Sequence, residues 1–179
     1  MRINSESRIH HPIEVVYKCY RDHLPQVAPY TPDIKEIIVK SREEQDKGPK
    51  IHNIWVADRE IPKVAQGLIK PGMLQWDDFA EWDDANQHVD WRINIPSFPD
   101  QVKCSGRNAF FADGPNSTKV LLTGDLEINM KKIPGVPRLL AGKLAPKIES
   151  FIVMLITPNL EKVNQSLERY LDEHGADFA

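Results

Sequence analysis

Two cysteines, Cys19 and Cys104, are all that this 179-residue chain has. That is too few for a disulfide framework, and neither has metal-ligand spacing. A reduced, cytoplasmic setting with two buried thiols is the expectation. No run of about 18 apolar residues exists, so no helix that spans a membrane is expected. The N-terminal MRINSESRIHH has no apolar core of the kind a secretory signal needs. No block of five like charges occurs and the formal net charge is −3, which argues against nucleic-acid binding through a broad basic surface. GxGxxG, P-loop, GxSxG, HxH and HExxH are all missing, so phosphate loops, a serine nucleophile elbow and zinc have nothing to start from. Neither a cofactor nor a metal is expected, and no assembled catalytic set is visible. Internal repeats, low-complexity tracts and linkers are also missing, and the length suits one domain over residues 1–179.

What is present is a long amphipathic pattern near the end. Between Pro137 and Glu173, the residues Ile152, Ile156, Leu160, Val163, Leu167 and Leu171 recur at helical spacing on one side. Glu161, Gln165, Glu168 and Asp172 take the other. Phe151 to Ile156 is apolar all round and should be enclosed on more than one side. Pro146 and Pro158 fall inside this pattern, and Pro158 cannot donate to the carbonyl of Met154, which predicts a kink.

The rest of the chain reads as strand, helix, then strands. Arg2 to His10 suits a first strand, and Pro12 a helix start, followed by Ile13, Val16, Tyr17 and Tyr20 at helical spacing. Pro25, Pro29 and Pro32 limit His23 to Thr31 to at most one short second helix. Strands are predicted over Ile34–Ser41, Ile51–Asp58, Met73–Trp82, His88–Ile95, Val102–Ala112 and Lys119–Met130, with turn chemistry between them. In the last of these Val120, Leu122, Leu126, Ile128 and Met130 face one way, while Thr123, Asp125, Glu127 and Asn129 face water. One buried face and one wet face is the antiparallel pattern. Ile61 to Ile69, between prolines, reads as a lid, a fixed cap or a self-association surface rather than a strand.

This order, with its terminal helix, resembles the helix-grip fold of the START-like superfamily, which includes polyketide cyclase/dehydrase-like and coenzyme Q-binding proteins. The likeness covers nearly the whole chain. The stretch KIPGVPRLLAGKLAPKIESFIVMLITPNLEKVNQSLERYL also looks like the C-terminal segment of bacterial members. The resemblance implies an α+β fold, a curved antiparallel sheet gripping the C-terminal helix, and a hydrophobic ligand cavity. It carries over no catalytic motif, and relatives of this kind include carriers, enzymes and regulators.

Strand parity supplies candidate wall residues. Trp91 shares the inward face with Val89 and Ile93, and Trp76 and Trp82 go with Leu74 and Ala80. Large rings on a concave sheet leave gaps that often hold ligands, although ordinary core packing is the more economical account of any single ring. The expected ligand-binding set is Trp55, Trp76, Trp91, Asn108, Phe110, Leu122, Ile152 and Ile156. Asn108 and Cys104 share parity with Phe110 and Val102, so an amide among apolar groups either orients a ligand or satisfies local backbone. Asp78 falls inward by strict alternation, where an unpaired carboxylate is expensive; a bulge turning it outward is the more economical expectation. Six histidines are present. His10 and His11 are adjacent on a strand and point to opposite faces, and His52 sits on a strand whose inward face is not fixed by pattern. The leading functional expectation is a carrier of a lipid-like or aromatic small molecule. A cyclase or dehydratase using Asp78 or His52, and an interaction module working through Ile61 to Ile69, are the alternatives. Oligomeric state is left open.

Overall fold

Six of the seven described strands largely alternate buried and open residues because each has the core on one side only. The computed structural model of the chain describes residues 1–61, 66, 74–129 and 138–178. β1 (Arg2–Ile9) is followed by α1 (Ile13–Asp22), α2 (Leu24–Val27) and a 3-10 turn at Ala28–Tyr30. β2 (Ile34–Glu43), β3 (Lys50–Ala57), β4 (Gln75–Asp83), β5 (His88–Asn94), β6 (Val102–Ala112) and β7 (Thr118–Ile128) form a run of hairpins. α3 (Arg138–His174) and a 3-10 turn at Gly175–Phe178 close the described chain.

The sheet is antiparallel throughout, in the order β1-β7-β6-β5-β4-β3-β2. Five of its six pairings join strands adjacent in sequence; β1 alone crosses over, to lie on β7. Register shifts between Ile34 and Glu36 and between Val39 and Ser41 mark bulges in β2, which add local bend and twist. This edge strand is mostly exposed: even Ile38 and Val39 are 43% and 46% exposed.

The curved sheet grips α3. Ile152, Ile156, Val163, Leu167 and Leu171 are buried against it, and Leu160 is partly buried. Fully burying one such side chain contributes about 1.5–3 kcal/mol, so this stripe outweighs the weak helix propensity around two prolines. The helix runs on through Pro146 and Pro158. The apolar girdle at Phe151 to Ile156 is not enclosed all round, because Met154 is 39% exposed. Two histidine–carboxylate pairs fix the β1–α1 corner to the far end of α3. His10 Nδ1 meets Glu168 Oε1 at 2.6 Å, and His11 Nε2 meets Asp172 Oδ1 at 2.8 Å. Apart from Ile61, which packs on the core, and exposed Gln66, the predicted insert lies outside the described residues.

Candidate functional site

The inner side of β3, β4, β5 and β6 faces α1, α2 and the middle of α3 across a hollow. Its volume is about 40 Å³. At roughly 10–15 Å³ per water on this measure, that is room for about three waters. Trp55, Trp76, Trp82 and Trp91 all line it, with Tyr20 from α1, Leu24 from α2, and Ile156, Asn159, Leu160 and Val163 from α3.

Cross-strand register sets the rings. Trp55 and Trp76 are direct partners on β3 and β4 and stack at 5.8 Å with 16° between planes. Trp82 and Tyr20 meet edge to face at 6.0 Å. Trp91 lies opposite Gly106, which lies opposite Gly124 on β7. The indole covers this pair of glycines; a Cβ on Gly124 would come 2.8 Å from Trp91 Cη2, and one on Gly106 would strike both Trp91 and the Thr123 carbonyl. Glycine here is therefore the slot that seats the ring.

Polar groups are few, and three of them are linked. Trp91 Nε1 donates to Asn108 Oδ1 at 3.0 Å, and Asn108 Nδ2 donates to Tyr20 Oη at 2.9 Å. Asn108 thus bridges sheet and helix instead of serving local backbone. α1 is held in place for this contact at the β4–β5 turn: Tyr17 Oη donates to Asp84 Oδ1 at 2.9 Å, and Arg21 Nη1 donates to Asp84 Oδ2 at 2.8 Å. Burial raises the Tyr20 hydroxyl above its usual range, so it stays protonated. Truncation of Asn108 to Ala should strand two buried groups and cost about 2 kcal/mol or more, read by urea unfolding.

Asp78 is inside. β4 pairs with both neighbours without a register shift, so alternation carries Asp78 to the same face as Trp76 and Ala80. The expected bulge does not form. Asp78 keeps a little surface and lines the cavity. Asn53, its register partner on β3, donates Nδ2 to Asp78 Oδ2 at 3.2 Å. Burial pushes the carboxyl up to about 6; the Asn53 amide, the nearby Trp55 indole and more distant His52 pull the other way. The Trp55 N–H nevertheless falls short of hydrogen-bond geometry and has no completed bond. The buried Trp82 Nε1 and Asn159 Oδ1, both on residues of the cavity wall, also lack partners.

His52 turns out to face away. It occupies the outer side of β3, bonds Asp77 Oδ1 through Nε2 at 2.8 Å, and stacks on Phe79 at 4.3 Å. Asp77 and Asp78 take opposite faces of β4, so this pair and Asp78 are separated by the sheet. Burial pushes the Cys19 and Cys104 thiols up to about 12, which keeps both protonated and unreactive. Among the described residues no cluster of His, Cys, Asp or Glu could hold a metal ion.

Of the predicted wall residues, Trp55, Trp76, Trp91, Asn108 and Ile156 border the hollow. Phe110, Leu122 and Ile152 are buried in the core and do not border it. Sequence reasoning left out Tyr20, Leu24, Asn159, Leu160 and Val163 as wall. Asn159 had a signal: it is a polar residue on the apolar side of α3, next to Pro158. Its Nδ2 donates to the Leu155 carbonyl at 2.7 Å, which leaves its Oδ1 free.

A curved seven-stranded antiparallel sheet closed over a long C-terminal helix, with a cavity between, is the helix-grip fold. Solved structures agree. The protein TTHA0849 of Thermus thermophilus superposes with a TM-score of 0.66 at 24% identity, over 97% of this chain and 99% of that one. The ZhuI aromatase/cyclase of Streptomyces sp. R1128 gives 0.65 at 17% identity, over 98% of each chain. Norcoclaurine synthase of Thalictrum flavum gives 0.56 at 11% identity, over 97% of this chain and 87% of that one. No protein-family model and no curated protein sequence matches the chain. Among the described residues no helix is long and apolar enough to cross a membrane.

Proposed function

We propose that this chain takes up a small apolar or aromatic molecule into the hollow between sheet and α3. The observation that carries the reading is four indoles and a phenol around unfilled space, with indole N–H groups and an amide oxygen left without partners. A well-packed core leaves few such atoms. On this reading the chain works as one domain, with Trp55, Trp76, Trp91, Asn108 and Ile156 as ligand contacts. Phe110, Leu122 and Ile152 then act behind the wall, setting its shape. Unbridged thiols at Cys19 and Cys104 accord with a reducing, cytoplasmic setting.

Native mass spectrometry of gently purified protein tests this through co-purified mass. Ala80→Leu supplies the control: Ala80 borders the hollow, and three added carbons would occupy the space a ligand needs. Uptake by the variant should fall at least about tenfold, a loss of about 1.4 kcal/mol in binding, while the fold persists. Equal occupancy of the two proteins, or wild-type protein that stays empty across preparations and ligand soaks, overturns the reading.

A second reading is supported by the position of Asp78. A carboxyl with its pKa raised to about 6 inside an apolar cavity can accept or release a proton near neutrality, as cyclisation or dehydration requires. One of the structural neighbours is an aromatase/cyclase and another a synthase. On this reading Asp78 is the acid or base, Tyr20 a hydrogen-bond donor, and His52 has no part.

A further inference from the structure

Resting on the binding reading above, one feature of the cavity specifies its occupant further. Among the described residues Asp78 is the cavity's carboxylate, and none of those bordering the hollow is Lys, Arg or His. No ion pair is formed by Asp78 among the described residues, whereas Asp22, Asp33, Asp77, Asp84, Asp90 and Asp113 all have a cationic or histidine partner. An ionised carboxylate offers about four acceptor sites. Asn53 fills one, at 3.2 Å. A buried negative charge left in that state is costly, so the site is incomplete as it stands.

What surrounds the carboxylate narrows the choice. Trp55, Trp76, Trp82, Trp91 and Tyr20 border the same hollow. Rings of this kind attract cations through their quadrupoles, Trp most strongly, and the attraction grows when water is excluded. An apolar hydrocarbon would leave the carboxylate unpaired. An anionic ligand would be repelled by it. A cation with an organic shell satisfies the rings and the carboxylate together; the hollow has room for the compact ammonium group alone, and the rest of the molecule would extend out through its open side. The unpartnered Trp82 N–H and Asn159 Oδ1 then mark positions for a neighbouring oxygen or hydroxyl on the same molecule.

We infer that the cavity is a receptor for an organic ammonium group, with Asp78 as its counter-ion and the tryptophans as its cage.

The test compares choline with 3,3-dimethylbutan-1-ol, which has the same shape and hydroxyl but carbon in place of the charged nitrogen. Titration calorimetry gives affinity, and the cavity tryptophans give an independent fluorescence readout. The inference expects choline to bind at least about tenfold more tightly, a difference of about 1.4 kcal/mol. Asp78→Asn should bring the two probes within about twofold of each other. If the neutral alcohol binds as tightly as choline to the wild type, the ammonium inference falls while apolar uptake stands. If Asp78→Asn keeps the full preference for choline, Asp78 is not the counter-ion and the inference falls. If neither probe gives heat or a fluorescence change at about 50 mM, the inference falls again, and the co-purification experiment decides separately whether the hollow binds anything. Should the variant not fold, the wild-type comparison alone still decides.

Discussion

Replacing Asp78 with Asn should make the free protein more stable at neutral pH, by about 2–3 kcal/mol. The folded carboxyl is raised from 3.8 to about 6, chiefly by burial. Each pKa unit corresponds to about 1.36 kcal/mol. Between these two values the folded state holds a proton that the unfolded chain has lost, so stability falls as pH rises through that window. Below roughly pH 4 the group is neutral in both states and its burden disappears; above pH 6 it is present in full. Asn keeps the shape and can still accept from Asn53, but it carries no charge. Urea unfolding at pH 7.5 should show the gain, and at pH 4 it should shrink towards nothing. A variant that is less stable than wild type at pH 7.5 would mean that the carboxylate supports the fold. Stability sacrificed at one inward position is what a binding or reacting group leaves behind.

Gly106→Ala should cost about 3 kcal/mol or more, the upper end of what overpacking does. The new methyl meets the Thr123 carbonyl on β7 and the Trp91 ring at once, and the backbone oxygen has little freedom to retreat. Gly124→Ala should be milder, since its nearest contacts are at 2.8 Å to Trp91 Cη2 and 3.0 Å to the Ser105 carbonyl. Adding Trp91→Phe to the Gly106→Ala protein should recover part of the loss, because a smaller ring clears the methyl while the clash with Thr123 persists. Thermal unfolding of the four proteins checks both claims. A Gly106→Ala protein within about 0.5 kcal/mol of wild type would show that the slot is not needed.

The fold was legible where one face is apolar over several turns or strands. The stripe on α3 and the alternation of β5 and β7 each name their buried side, because a slip would expose the whole set. β6 runs from Val102 to Ala112, as its flanking turns predict. Asp78 was not legible. Its expense argued for an outward bulge, but the cavity that bathes it and the Asn53 across from it are tertiary facts. The Trp91–Asn108–Tyr20 chain was hidden for a similar reason: its last link joins residues 88 apart in sequence. Parity put Asn108 inside without naming its partners. Nor could parity separate a wall residue such as Ile156 from a filler such as Ile152, since both are buried on the same stripe. His52 was ambiguous until register with Asp77 and Phe79 assigned it to the outer side.

The crossover of β1 to β7 has a consequence for biogenesis. On the ribosome β1 emerges before the other strands, yet the strand that completes it comes after all of them. The hairpins from β2 to β7 can zip together from neighbours, but β1 must wait and then close the longest loop in the sheet. Its outer face, with Arg2, Asn4, Glu6 and Arg8, is charged or polar, and Ser5 and Ser7 break up the apolar inner face, which keeps the waiting segment soluble. A nascent chain halted before β7 should therefore expose β1 to proteases, and release of the chain with β7 in place should protect it.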